Sequence, residues 1–96
     1  MAKVYQGQKP FKVIKVSALE AKLLWGVAIN DQCCDRCNMK SPEHGFYIAV
    51  LNRWYCKKCF RQWYDKATFY KEDERFEKMN FDDTVHKLKL LGLWEQ

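Results

Sequence analysis

The sequence has no long apolar run. Its longest, Leu23 to Ile29 (LLWGVAI), falls far short of the roughly 20 residues a membrane-spanning helix needs. No small-residue cleavage site follows that run, so it does not read as a secretory leader, and an intracellular location is expected, in the cytoplasm or in a eukaryotic nucleus. Glycine loops able to cradle a phosphate are absent, as are a Ser/His/Asp grouping and a carboxylate pair. Catalytic machinery is therefore not legible, and no enzyme is expected. There is no low-complexity stretch and no internal repeat beyond two cysteine pairs. A length of 96 residues also excludes a two-domain enzyme, a Rossmann unit with a partner domain, or a barrel.

What is present is a composition suited to one small folded domain: 48% hydrophobic, 30% charged and 16% aromatic. The rings comprise four Trp, five Tyr and six Phe, so a few large side chains must build most of the core. The net charge of +5 is uneven. Residues 1–30 carry five lysines against Glu20, and residues 31–60 carry five bases against three acids. Residues 61–96 are nearly balanced, with seven bases and eight acids. The first two thirds could thus meet a polyanion, although a solvated surface of this charge also simply keeps a small protein soluble.

Along the chain, residues 1–10 read as a loose polar arm. Phe11–Val16 (FKVIKV) reads as a short strand. Ser17-Ala-Leu-Glu20 fits a capping box opening a helix from Ala18 to about Trp25, with Leu19 or Ala21, Leu23 and Leu24 inward and Gly26 as its stop. Phe46–Val50 suits a strand, and Asn52 can turn the chain back into Arg53-Trp54-Tyr55 as a hairpin. From Cys56 the period changes: Cys59, Phe60, Trp63, Ala67 and Tyr70 mark one face of a helix running to about Lys71. The dense charge of Lys71–Asn80 reads as a linker. Asn80 then caps a last helix with Phe81, Val85, Leu88 and Leu91 as its buried stripe, Gly92 as its stop, and Leu93 and Trp94 as a C-terminal anchor.

Four cysteines form Cys34-Asp-Arg-Cys37 and Cys56-Lys-Lys-Cys59, separated by 18 residues. Two such pairs can present four thiolates to one tetrahedral Zn²⁺. Iron in a rubredoxin-like tetrathiolate is the lesser alternative, because the glycines and proline of rubredoxin knuckles are absent. Asn38 tolerates the left-handed conformation a knuckle needs, whereas Phe60 opens a helical pattern. The first pair therefore belongs to a knuckle and the second to a helix N-terminus, joined by a hairpin. That is a treble clef, and the expected fold is a single α+β domain. Its parts are an N-terminal strand–helix segment, the treble-clef unit over residues 33–71, and a C-terminal helix and anchor over residues 80–94. A closed tetrathiolate leaves no open position for water, so the metal is structural.

The run Arg53-Trp-Tyr-Cys-Lys-Lys-Cys-Phe-Arg-Gln-Trp-Tyr64 resembles the second zinc half of LIM domains, and the cysteine spacing is similar to that of GATA-type fingers. The resemblance covers about residues 33–65 and implies structural zinc on Cys34, Cys37, Cys56 and Cys59. A full LIM pattern needs eight ligands, whereas five Cys and two His supply seven. Phe60-Arg61-Gln62 also departs from the glycine-containing run of GATA fingers, so DNA contacts do not transfer. Cys33 is left over: it reads as a quiet buried residue, with exchange for Cys34 or a reactive thiol as alternatives. His44 could approach the metal, but four thiolates already fill the site. His86 falls beside the last helix's buried stripe and reads as an ordinary helix residue.

Two functions fit. One is a zinc-stabilised protein-interaction module, a small regulator or inhibitor docking on a larger machine, since aromatics are the usual interface anchors. The other is a nucleic-acid-binding finger using the basic N-terminal two thirds. Candidate contacts for either are Arg36, Lys40, Arg53, Trp54, Lys57, Lys58, Arg61 and Tyr64. No membrane partner is expected.

Overall fold

A computed structural model describes residues 2–25 and 44–95. Short runs containing β-branched and aromatic residues form four strands, β1 (Lys3–Val4), β2 (Val13–Ser17), β3 (His44–Ile48) and β4 (Arg53–Cys56). They pair antiparallel in the order β1-β2-β3-β4. Three helices complete the α+β fold: α1 (Ala18–Trp25), α2 (Lys57–Lys66) and α3 (Glu74–Leu90), the last preceded by a 3₁₀ turn at Lys71–Asp73.

Alternation along each strand sends consecutive side chains to opposite sheet faces. Val13, Phe46 and Ile48 join Phe11 and Phe60 in one buried cluster beneath α2. Ile14, Val16, Tyr47 and Trp54 join Ala21 of α1 and Leu88 of α3 in the other. The sheet is thus covered on both sides.

Local sequence signals account for several joints. Ser17 N–H donates to Oε1 of Glu20 (2.9 Å), and Glu20 N–H donates to Oγ of Ser17 (3.2 Å). This is the reciprocal capping box expected at the start of α1. At the β3–β4 turn Asn52 adopts φ 54°, a left-handed conformation that Asn tolerates better than most residues. Its Oδ1 accepts from the Tyr47 hydroxyl at 2.7 Å. After α3, Gly92 takes φ 72°, and Leu93 and Trp94 fold back against the core. Ala2 N–H donates to Leu93 O, and Glu95 N–H donates to Ala2 O, both at 2.8 Å.

Several boundaries differ from those the sequence suggests. Residues 2–10 are not a loose arm: Ala2 is buried, Lys3 and Val4 pair with β2, and Lys9 is held by α2. In α1, Leu23 is exposed rather than inward, with Ala21 buried and Leu24 packed against the core. Gly26 lies outside the described residues.

Helix α2 stops at Lys66, and Tyr70 is exposed. The ammonium of Lys9 accounts for the early stop, since it donates to the last carbonyls, Tyr64 O and Ala67 O (3.0 Å to the latter). A cation there also suits the negative end of the helix dipole. Ala67 and Tyr70 are extended, the β-branched or aromatic residues at 68–70 are poor helix formers, and Phe69 returns to Phe11 at 5.6 Å between ring centroids.

Helix α3 begins six residues before Asn80, inside the segment that reads as a linker. Glu, Arg, Lys and Met are good helix formers, and the acids of its first turn suit the positive end of the dipole. The Asn80 amide does not cap. It donates instead to Ala49 O at 2.9 Å and ties α3 to the β3–β4 turn. Leu91, expected in the buried stripe, is exposed.

Candidate metal centre and contact surface

The hairpin leads directly into the second cysteine pair. Strand β4 ends at Cys56, which is also the N-cap of α2, with extended φ −70° and ψ 167°. Cys59 follows in the first helical turn and is buried, while Cys56 is half-buried. The strand-to-helix switch therefore falls within the Cys56-x-x-Cys59 pair. No Asp or Glu stands in the first turn of α2, and Cys56 makes no side-chain cap. The turn holds Lys57 and Lys58 instead. A positive helix end with adjacent lysines suits the negative charge of thiolates, so these two residues fit half of a tetrathiolate zinc site.

Cys33, Cys34, Cys37, Arg36 and Lys40 lie outside the described residues, as does the side chain of His44. Among the described residues, no three His, Cys, Asp or Glu side chains gather as a metal ion would require. His86 is exposed on α3.

The candidate contact residues divide sharply. Arg53, Lys57, Lys58 and Arg61 are exposed. Trp54 is not available to a partner: it is only 4% exposed, and its indole Nε1 donates to Val16 O at 3.0 Å. Its ring lies where a side chain at Gly45 would stand, so glycine at that position makes room for it. Tyr64 is half-buried and largely engaged. Its hydroxyl accepts the Lys9 N–H at 2.7 Å, and its ring meets those of Tyr5, Phe11 and Phe60. The Lys9 ammonium lies 5.2 Å from the ring centroid.

Two groups the sequence did not single out hold α3 to the sheet. Glu77 is 1% exposed, and its Oε2 accepts the Lys12 N–H at 2.8 Å. Burial raises its pKa above the usual carboxylate range, partly offset by the Lys12 N–H. The Lys12 ammonium stands 5.4 Å from the centre of the Phe81 ring. The only sequence signal for Glu77 was its i, i+4 relation to Phe81 and i, i+11 relation to Leu88, which marks the buried side of one continuous helix.

On the other side of α3, Phe76, Met79 and Leu90 are 49%, 63% and 73% exposed. At about 100° per residue these three share one face, turned away from Glu77, Thr84 and Leu88, the buried residues of the helix. No described helix is long and apolar enough to cross a membrane. No protein-family model matches this chain, and no curated protein or solved structure shows significant similarity to it.

Proposed function

We propose that this chain is a non-enzymatic, zinc-stabilised protein-interaction module, a small regulator that docks on a larger protein assembly. In this reading one structural Zn²⁺ is held by Cys34, Cys37, Cys56 and Cys59 in a treble clef. The second pair sits at the α2 N-terminus and the first on a knuckle. The hairpin running directly into a Cys-bearing helix start supports that arrangement.

The observation that carries the interaction role is the outer face of α3. Each large apolar side chain buried there would contribute about 1.5–3 kcal/mol. Phe76 and Met79 stand in water one turn apart, and Leu90 follows three turns further along the same face, beyond the Asp83–Lys87 ion pair. This is the pattern of an amphipathic helix laid into an apolar groove of a partner protein. The aromatic excess itself supports binding less than composition suggests, because most of the described rings pack on one another in the core.

Nuclease-treated capture from a lysate tests the role. The tagged chain should retain a protein that a Phe76→Ser, Leu90→Ser double variant loses while keeping its thermal transition. Equal retention by the double variant would overturn the docking face. For the metal, the chain should bind one zinc per molecule, and Cys56→Ser should lose both the zinc and the cooperative thermal transition. Retention of both by that variant would remove the zinc assignment.

A further inference from the structure

We infer that a nucleic-acid backbone binds along the strip of surface between the β1–β2 edge and the N-terminal half of α2, held by Lys3, Lys15, Lys57 and Arg61. Strand register places the first two. Lys3 lies directly opposite Lys15, and Lys15 directly opposite Phe46. Opposed residues of an antiparallel ladder share a face. Phe46 stacks on Phe60 of α2 at 4.4 Å, so both lysines project on the α2 side of the sheet.

Aromatic contacts place the other two. Tyr5, two residues beyond Lys3, meets Phe60 at 5.3 Å and Tyr64 at 6.1 Å. Lys57, Arg61 and Tyr64 stand at i, i+4 and i+7 and so share one flank of α2. Tyr64 turns that flank toward the N-terminal segment through its contacts with Tyr5 and Lys9. Four cations from three elements thereby border one strip.

No described carboxylate pairs with any of these four, and of them only Lys57 also borders the proposed thiolates. All four side chains are exposed. Residues 2–19 contain no Asp or Glu, and α2 contains only Asp65, one turn beyond Arg61. The α3 lysines differ: Lys78 pairs with Asp82 at 2.8 Å and Lys87 with Asp83 at 3.2 Å. The Lys9 and Lys12 ammoniums lie over rings. Facing lysines on paired strands repel one another. An edge lysine also protects a sheet from pairing with another chain, which explains Lys3 on β1. It does not explain Lys15, which sits on the inner strand β2. Phosphates along the strip would relieve that repulsion, and recognition by such groups reads backbone charge rather than base sequence.

The test is fluorescence anisotropy with a labelled 20-base-pair DNA duplex, a 20-nucleotide single-stranded RNA and vesicles containing phosphatidylserine, at rising salt. About four neutralised phosphates give a log–log salt slope near −3.6 on duplex DNA, on the order of a hundredfold weaker binding at 200 mM than at 50 mM salt. Lys3→Ala with Lys15→Ala should lower the slope by about two units, leaving about a tenfold loss, with an unchanged thermal transition. Lys78→Ala with Lys89→Ala on α3 removes the same charge and should leave the slope unchanged. Three results would overturn the site: no binding to either nucleic acid at low salt, binding to vesicles alone, or an equal effect of the two double variants. Capture of a protein through Phe76 and Leu90 is read separately, so this site and the docking face can fail independently.

Discussion

The two faces of the sheet are built from the same strands but held by different forces. Beneath α2, Phe11, Phe46 and Phe60 are ringed by Tyr5, Trp63, Tyr64 and Phe69, mostly in edge-on or tilted contacts 4.4–6.2 Å apart. That face depends on ring shape and apolar burial. On the opposite face, directional polar bonds join the parts: Tyr47 to Asn52, Trp54 to Val16, and Asn80 to Ala49, with Glu77 tying α3 to the start of β2. A small domain can therefore divide its stability between a face built mainly of packed rings and one that carries a buried carboxyl.

The largest effect is expected at the centre of the aromatic face. Phe60→Ala removes the ring that meets Phe46, Tyr5, Trp63 and Tyr64. It should cost about 3–5 kcal/mol in chemical denaturation, and a loss below about 1 kcal/mol would show that α2 is held by something else. On the opposite face, Gly45→Ala puts a methyl group into the Trp54 ring. Overpacking of this kind typically costs about 1–3 kcal/mol. Near-UV circular dichroism should report displacement of the indole, and an unchanged spectrum and stability would break the account of Trp54.

Glu77→Gln has the smallest expected effect and distinguishes the faces most directly. Burial raises the folded-state pKa of Glu77 above its ordinary value of 4.5. The carboxyl therefore favours folding most when protonated, and that contribution is lost as pH rises from the ordinary carboxylate range through the raised pKa. Gln keeps an acceptor for the Lys12 N–H without the charge. The stability of the natural chain should thus fall relative to the variant over that window and then run parallel to it. A constant difference across the window would show that folding does not shift the Glu77 pKa. Phe60→Ala should leave the pH profile unchanged in shape.

Much of this architecture is legible locally. Ser17 and Glu20 announce α1, Asn52 announces the β3–β4 turn, the change of period at Cys56 marks the strand-to-helix switch, and Gly92 marks the end of α3. Each of these signals acts within a few residues, through one cap, one backbone conformation or one helical repeat. The misread positions depend on partners far along the chain. Asn80 looks like a cap until the Ala49 carbonyl takes its amide. Tyr70 continues the α2 pattern until Lys9 takes the carbonyls at that helix's end. Trp54 reads as a candidate contact residue until Gly45, opposite Cys56 two residues on, leaves space for its ring.

Local sequence accounts for three of the four short strands and for the three helices within the described residues, for a Cys-x-x-Cys pair across a strand–helix junction, and for an acid-free basic N-terminal segment; β1 is not among these. The tertiary structure alone decided which of those groups are occupied. Lys9, Lys12, Glu77, Trp54 and Tyr64 are drawn into the fold by partners 38 to 65 residues away. Lys3, Lys15, Lys57 and Arg61 are left exposed around one strip, and Phe76, Met79 and Leu90 on one helix face. The reason is physical. Propensity and capping are set by neighbours in sequence, whereas burial and charge compensation are set by neighbours in space, which appear only once the sheet register is fixed.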